Sequence, residues 1–280
     1  MPYTFDRLLF GPSGVPHSSP KADTLSGITR VAELGLDCME LGFVRRVGMG
    51  PDKAAQVKAL AQTLGVRLTV HAPYYINLNS PEPEKIEASK VRMLQAARVG
   101  AACGAESVCV HAAFYMKGEP ETVYQHVKTG FSEVVETLQQ EGVKVWMRPE
   151  LMGKMSQFGT LEETIRLSQE VPHVLPLIDF AHLHARSLGK FNSAEEFVSV
   201  LEAIKGALGQ AALERLHLHV SGIDYGPKGE RKHLTLDESD FDYGALLRAL
   251  KQFDCKGFVI CESPNQEDDA LLLKRAYEAL

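Results

Sequence analysis

The sequence predicts a single (β/α)₈ barrel spanning residues 1–280. Three observations lead there. Short apolar runs alternate eight times with longer amphipathic stretches, a pattern that demands a parallel sheet with helical crossovers. Several amphipathic stretches end in a glycine just before the next run, which is the C-cap signal of a helix. The length of 280 residues also sits close to the roughly 250 that one such barrel uses.

Strands are expected at 7–11, 38–43, 67–72, 107–112, 144–149, 174–180, 215–220 and 257–261, each dense in Val, Ile, Leu, Phe or Cys. That density fits strands covered on both faces. Helices are expected at 51–64, 82–103, 120–141, 193–208 and 241–253, with Pro51 and Pro120 where a first-turn proline is tolerated. Gly35, Gly65, Gly104, Gly142 and Gly257 read as helix ends. After the first strand, Gly11-Pro12-Ser13-Gly14 lacks the spacing of a dinucleotide-binding turn, so a closed barrel is favoured over an open sheet.

Composition narrows the function classes. Hydrophobic residues at 45% and charged residues at 24% allow both a sizeable core and good solubility. The net charge of −6 gives no global attraction to nucleic acid or to an anionic membrane, so any polyanion must be met by a local basic face. No apolar run approaches the roughly 20 residues that span a bilayer, and the first six residues do not resemble a signal peptide. Five cysteines without a CxxC pair read as buried thiols in a reducing cytoplasm. Nothing in the sequence calls for a membrane or an obligate protein partner.

In such a barrel the C-terminal strand ends and the loops after them form the active face. His71 ends the third strand, His111 the fourth and Glu150 the fifth. Asp179 and His182 follow the sixth, His217 and His219 lie on the seventh, and Glu262 ends the eighth. One imidazole or carboxylate alone reads as a packing histidine or a helix cap. Several directed into one mouth would repel or stay unpaired unless a cation neutralised them. Imidazoles with carboxylates suit zinc, manganese or iron better than magnesium or calcium. His184 is expected at the surface, and His17, His126 and His173 lie off the predicted face.

The segments around these residues resemble endonuclease IV, the metal-dependent apurinic/apyrimidinic endonuclease, within the xylose isomerase-like barrels. They run in order as His71-Ala72-Pro73-Tyr74-Tyr75-Ile76-Asn77-Leu78, His111, Glu150 with Gly153-Lys154-Met155-Ser156-Gln157-Phe158-Gly159, and Asp179-Phe180-Ala181-His182. Leu216-His217-Leu218, Glu230-Arg231-Lys232-His233 and Glu262-Ser263-Pro264 complete the set, which covers roughly residues 7 to 264. The resemblance implies two or three divalent cations, with zinc favoured over manganese. His71, His111 and Glu150 would hold one, and Glu150 would bridge to a second held also by Asp179, His217 and Glu262. Glu150 and Glu262 would then serve catalysis, in which a metal-bound hydroxide attacks the phosphodiester on the 5′ side of an abasic site in DNA.

His182 would belong to a third site with Glu230. The family's Asp-Arg-His is here Glu230-Arg231-Lys232-His233, and an ammonium at Lys232 is no ligand, so either His233 or His219 would shift in. Tyr74, Arg231 and Lys232 are the expected substrate contacts, the tyrosine pressing on an extruded sugar or base. Arg45, Arg46, Lys117, Arg148, Lys154, Arg186, Lys190 and Lys228 join Arg231 and Lys232 in a basic rim suited to a phosphate backbone. The alternative is a metal-dependent sugar isomerase or epimerase of the same superfamily, for which Glu150, Asp179, His217 and Glu262 around one cation would suffice.

Overall fold

A computed structural model describes residues 4–280. Eight parallel strands form the wall: β1 (Leu8–Pro12), β2 (Cys38–Gly42), β3 (Arg67–His71), β4 (Ser107–Val110), β5 (Trp146–Pro149), β6 (Ile178–Asp179), β7 (Leu216–Val220) and β10 (Gly257–Cys261). Between the last two stands an antiparallel hairpin, β8 (Gly222–Gly226) and β9 (Gly229–Leu234). Hydrogen bonding orders the wall as two arcs, β2-β3-β4-β5 and β6-β7-β10-β1. A parallel bridge from Ser13 to Glu40 joins the arcs on one side, and bridges Met147–Val174 and Glu150–Leu177 join them on the other. The sheet is therefore closed into a barrel.

Helices cover the outside: α1 (Thr24–Glu33), α2 (Pro51–Leu64), α3 (Pro83–Ala102), α4 (Pro120–Gln140), α5 (Leu161–Glu170), α6 (Phe180–Arg186), α7 (Ala194–Leu208), α8 (Gln210–Leu213), α9 (Tyr243–Gln252) and α10 (Glu267–Glu278). Their starts follow local chemistry. Pro51, Pro83 and Pro120 sit in first turns, while Thr160 and Ser193 build capping boxes with Glu163 and Glu196. Side chains such as Ile28, Val57, Phe131 and Phe197 are fully buried between the two layers. Among the described residues no helix is long and apolar enough to cross a membrane, and all five cysteines are buried and free.

Three differences from the sequence expectation matter for the site. The sixth strand is short, Ile178–Asp179, because the Asp179 side chain accepts from the His182 amide and starts α6 at once. Gly257 is not a helix end. It opens β10 at φ +126°, where an added Cβ would stand 2.1 Å from the Leu216 carbonyl oxygen, so its role is close approach of two strands. The β8–β9 hairpin was not expected; it leans over the barrel mouth, with Lys154 bridged to Gly229.

Candidate metal centre

Side chains alternate along a strand, so residues two apart share a face. On β4 and its extension, Ser107, Cys109 and His111 therefore share the barrel interior, as do Arg148 on β5 and Glu150 just past its end, and His217 and His219 on β7. Among the described residues four groups of donor atoms form, each with its atoms within 4.8 Å of one another: Glu40, His217 and His219 inside the barrel, and three at the mouth. Of these three, the first is His71, Cys109, His111 and Glu150; the second is Glu150, Asp179, His219 and Glu262; the third is Asp179, His182 and His233. Glu150 is common to the first two and Asp179 to the last two.

The distances are short throughout. His111 Nε2 lies 2.8 Å from Glu150 Oε2, and His71 Nε2 lies 3.6 Å from the same oxygen. His219 Nδ1 stands 3.4 Å from both Glu150 Oε1 and Glu262 Oε2. His182 Nε2 faces His233 Nε2 at 3.2 Å and Glu230 Oε2 at 3.5 Å. Backbone carbonyls orient three of these rings: His71 Nδ1 donates to Ala72, His182 Nδ1 to Leu151 and His233 Nδ1 to Glu262. Each turns Nε2 to the mouth.

The electrostatics are those of a site built around positive charge. Burial disfavours the imidazolium form of His71, yet Glu150, Glu40 and Glu262 outweigh it and raise its pKa to about 9. Against the same burial, Asp179, Glu150 and Glu230 raise His182 to about 10. His219 is held well above its usual value by Glu262, Glu40 and Glu150 despite burial. Burial pushes the Asp179 carboxyl up to about 6, aided by the charges of Glu150 and Glu262 against the pull of His182. Burial opposes charge on Glu262 too, but His219 and His233 draw it down to about 2. Meanwhile Glu150 Oε1, Asp179 Oδ2 and His219 Nδ1 are buried without a hydrogen-bond partner. Orphaned acceptors converging on one space fit divalent cations, which would replace the protons on the imidazoles.

The hairpin solves the problem posed by Lys232. In β9, Tyr225 opposes Glu230 while Asp224 opposes Lys232, which leaves Arg231 as the extra residue of a bulge. Three residues apart, Glu230 and His233 would face opposite sides of a regular strand; the bulge re-phases the alternation and brings both to His182. Lys232 is left exposed.

The expected place of His217 is corrected. It lies one layer below the mouth, in register with Phe258, its Nδ1 against Ser107 Oγ at 2.8 Å and its Nε2 3.1 Å from Glu40 Oε2. His219 is in register with Asp179 and takes the position beside Glu150 and Glu262. Burial lowers His217 to about 4, so it is a neutral imidazole. Two rim assignments are corrected as well. Arg148 is buried inside the barrel and donates to Ser107 Oγ and to the carbonyls of Pro176 and Arg215. Arg186 is spent on the carbonyls of Met152, Lys154 and Gln157, pinning that loop. His184 is not at the surface: it is buried on α6 and contacts the Phe191 carbonyl and Asp240.

A cavity of about 490 Å³ opens over the three groups, lined among others by Tyr74, Phe114, Lys154, Gln157 and Pro264. The Tyr74 ring stands 4.9 Å from that of His71 and 5.2 Å from that of His111. Arg231 and Lys232 do not line the cavity; they are exposed on the hairpin, within reach only of a substrate longer than it. Arg45, Arg46, Lys117, Lys154, Lys190 and Lys228 are exposed. Sequence reasoning missed Glu40 and Cys109. Cys109 Sγ donates to Glu150 Oε2 at 2.8 Å, and Glu40 is fully buried beneath His219. Period-two counting back from His111 finds Cys109, and a charged residue inside the apolar second strand was the signal for Glu40.

The described residues form a closed eight-stranded barrel whose mouth gathers three linked sets of imidazole and carboxylate donors able to hold metal ions. The chain belongs to the xylose isomerase-like TIM barrel family, whose model matches residues 28–280. It is 41% identical over 273 residues to an uncharacterised protein of Methanocaldococcus jannaschii, covering 98% of each chain. It is 27% identical over 228 residues to a probable endonuclease 4 of Symbiobacterium thermophilum, covering 78% of this chain and 79% of the relative. Among solved structures, endonuclease IV from Thermus thermophilus superposes with a TM-score of 0.71 at 21% identity, covering 98% of both chains. A D-tagatose 3-epimerase-like protein also superposes with a TM-score of 0.71, at 20% identity and 96% of both chains. At these identities the likeness to both structures is one of fold.

Proposed function

We propose that this protein is a divalent-metal-dependent phosphodiesterase that incises DNA on the 5′ side of abasic sites, using zinc in preference to manganese. The observation that carries this reading is the sharing of Glu150 and Asp179 among three donor groups, an arrangement for several adjacent cations. An enzyme that works around one cation needs only the middle group. The probable endonuclease 4 relative and the ordered motifs from His71 to Glu262 support the same reading.

His71, His111 and Glu150 would hold the first cation, Glu150, Asp179, His219 and Glu262 the second, and Asp179, His182 and His233 the third, with Glu230 beside His182. When bound, such cations supply Lewis acidity to a phosphoryl oxygen and make a water more acidic at neutral pH. The chain's own residues shape the rest. Glu150 fixes the spacing of the first two groups through its two oxygens. Tyr74 walls the cavity beside His71 and His111 and offers a flat face to an unstacked sugar or base. Lys154 Nζ, 3.9 Å from Glu230, brings an ammonium to the cavity edge where a phosphate would enter. Exposed Arg45, Arg46, Lys117 and Lys228 would follow the backbone on either side.

One observation favours a second reading, a sugar epimerase. Glu150, Asp179, His219 and Glu262 by themselves complete a four-donor set, and a 490 Å³ cavity is of small-molecule size. The two readings separate on a duplex carrying one abasic site, incubated with zinc-loaded wild type and with Glu262→Gln. Incision on the 5′ side by the wild type, lost in the variant and with chelator, is the expected result. A protein that leaves the duplex intact, carries one cation per chain and epimerises a ketose would overturn the proposal.

A further inference from the structure

Below the cation-binding mouth the barrel holds a second polar layer where such interiors are ordinarily filled by Val, Ile and Leu. Its centre is Glu40 on β2, fully buried. Thr69 Oγ1 donates to Glu40 Oε2 at 2.9 Å, and Ser13 Oγ lies 3.5 Å from Oε1. His217 Nε2 and His219 Nε2 stand 3.1 and 3.2 Å from the same carboxylate, within ion-pair distance though bent from the straight line of a full hydrogen bond.

The direction of the contacts around His217 follows from Arg148. Arg148 can only donate, and its Nε donates to Ser107 Oγ at 3.1 Å. The Ser107 hydroxyl is thereby free to point its hydrogen at His217 Nδ1, 2.8 Å away. With Nδ1 accepting, a neutral His217 carries its proton on Nε2, toward Glu40. A carboxylate only accepts, so His219 must likewise present Nε2–H to Glu40, because a lone pair there would face an anion at 3.2 Å. That leaves His219 Nδ1, buried and unpartnered, aimed between Glu150 and Glu262.

We propose that Glu40 is a positioning residue for the metal centre: it keeps the proton of His219 on Nε2 and turns Nδ1 toward the cation shared by Glu150, Asp179 and Glu262, while Arg148, acting through Ser107, imposes the matching tautomer on His217. His71 and His233 are oriented by backbone carbonyls, at Ala72 and Glu262, and His182 Nδ1 meets the Leu151 carbonyl beside Asp179 Oδ2 at 3.2 Å. A carboxylate behind the ring makes a more basic ligand, and such partners change metal affinity by about 10- to 100-fold when removed. The inference rests on the reading of the mouth as a metal centre and is independent of the substrate.

The test reads protons and cations, not turnover. Zinc-loaded wild-type protein labelled with ¹⁵N-histidine, its signals assigned with His217→Gln and His219→Gln, is expected to show Nε2–H on both rings and a coordination shift at His219 Nδ1. Stepwise zinc affinities, measured against a chromophoric chelator, are expected to fall about 10- to 100-fold for the His219 step in Glu40→Gln, with little change in the His71–His111 step. Arg148→Met is expected to mix the His217 tautomers. A proton on His219 Nδ1, a coordinated His219 Nε2, or unchanged stepwise affinities in a folded Glu40→Gln protein would each overturn the proposal. Should Glu40→Gln fail to fold, the wild-type spectrum decides alone. The expected tautomers in a protein that leaves abasic DNA intact would uphold this inference and remove the DNA reading.

Discussion

Glu150 faces two donor groups with two different oxygens, which gives it more influence over the centre than any neighbouring imidazole. Oε2 meets His111, Cys109 and His71, and Oε1 meets His182 and His219. Glu150→Gln is therefore expected to cost the bound content of two cations, and His233→Asn of one, as read by elemental analysis of folded protein. Equal losses in both variants would contradict the shared role. Cys109 sits behind Glu150 Oε2, its thiol pushed well up by burial and by the charges of Glu150 and Glu40, so it donates a hydrogen bond to that oxygen. At this scale the sequence was readable wherever a polar residue ends a strand. It was unreadable between His217 and His219, because both occupy the same face of β7 and only the stagger of neighbouring strands decides which stands level with Asp179.

Among the elements, the β8–β9 hairpin determines whether the third group exists. Its bulge at Arg231 places Glu230 and His233 on one side, and deletion of Arg231 is expected to restore regular alternation and abolish one cation while the barrel stays folded. Gly229 holds the hairpin against the loop after β5: at φ +87° an added Cβ would stand 2.1 Å from the Gly153 carbonyl oxygen. Gly229→Ala should push the hairpin outward and weaken the third cation more than the first. Gly257→Ala strains the barrel wall itself and is expected to destabilise by about 1–3 kcal/mol or more in urea unfolding, without selective loss of any cation. The five helices singled out in the sequence could be found there because their caps and apolar stripes are local. The hairpin could not, since β9 (GERKHL) is polar and its pairing depends on what lies across the mouth.

For the molecule as a whole, the ion pairs between imidazoles and carboxylates at the mouth couple stability to pH. Without cations, His71 and His182 hold their protons up to about 9 and about 10, against 6.5 in an unfolded chain. Their raised values contribute stability that is complete below pH 6.5 and is lost as pH rises through 9 to 10. Metal-free protein is expected to melt progressively lower from pH 7 to pH 10, and zinc, by replacing those protons, to flatten that dependence. A melting temperature that climbs over this window without metal would refute the assignment. A net charge of −6 beneath a rim that includes Lys154 and Lys228 predicts a second global property. Duplex affinity should fall with salt at a logarithmic slope of about −0.9 per phosphate contact, and Lys154→Glu with Lys228→Glu should flatten it.

What the sequence determined by itself was the barrel and the level at which its chemistry gathers. Eight apolar runs must be covered on both faces, helical stretches between them must cross over, and polar side chains at the strand ends then meet at one mouth. What only the tertiary structure decided was depth and facing: His219 at the centre instead of His217, Glu40 beneath it, Arg148 inside the wall instead of on the rim, and His233 swung in by a bulge. Those choices depend on strand stagger and ladder irregularity, which are set by contacts between segments far apart in the chain and leave no local period to read.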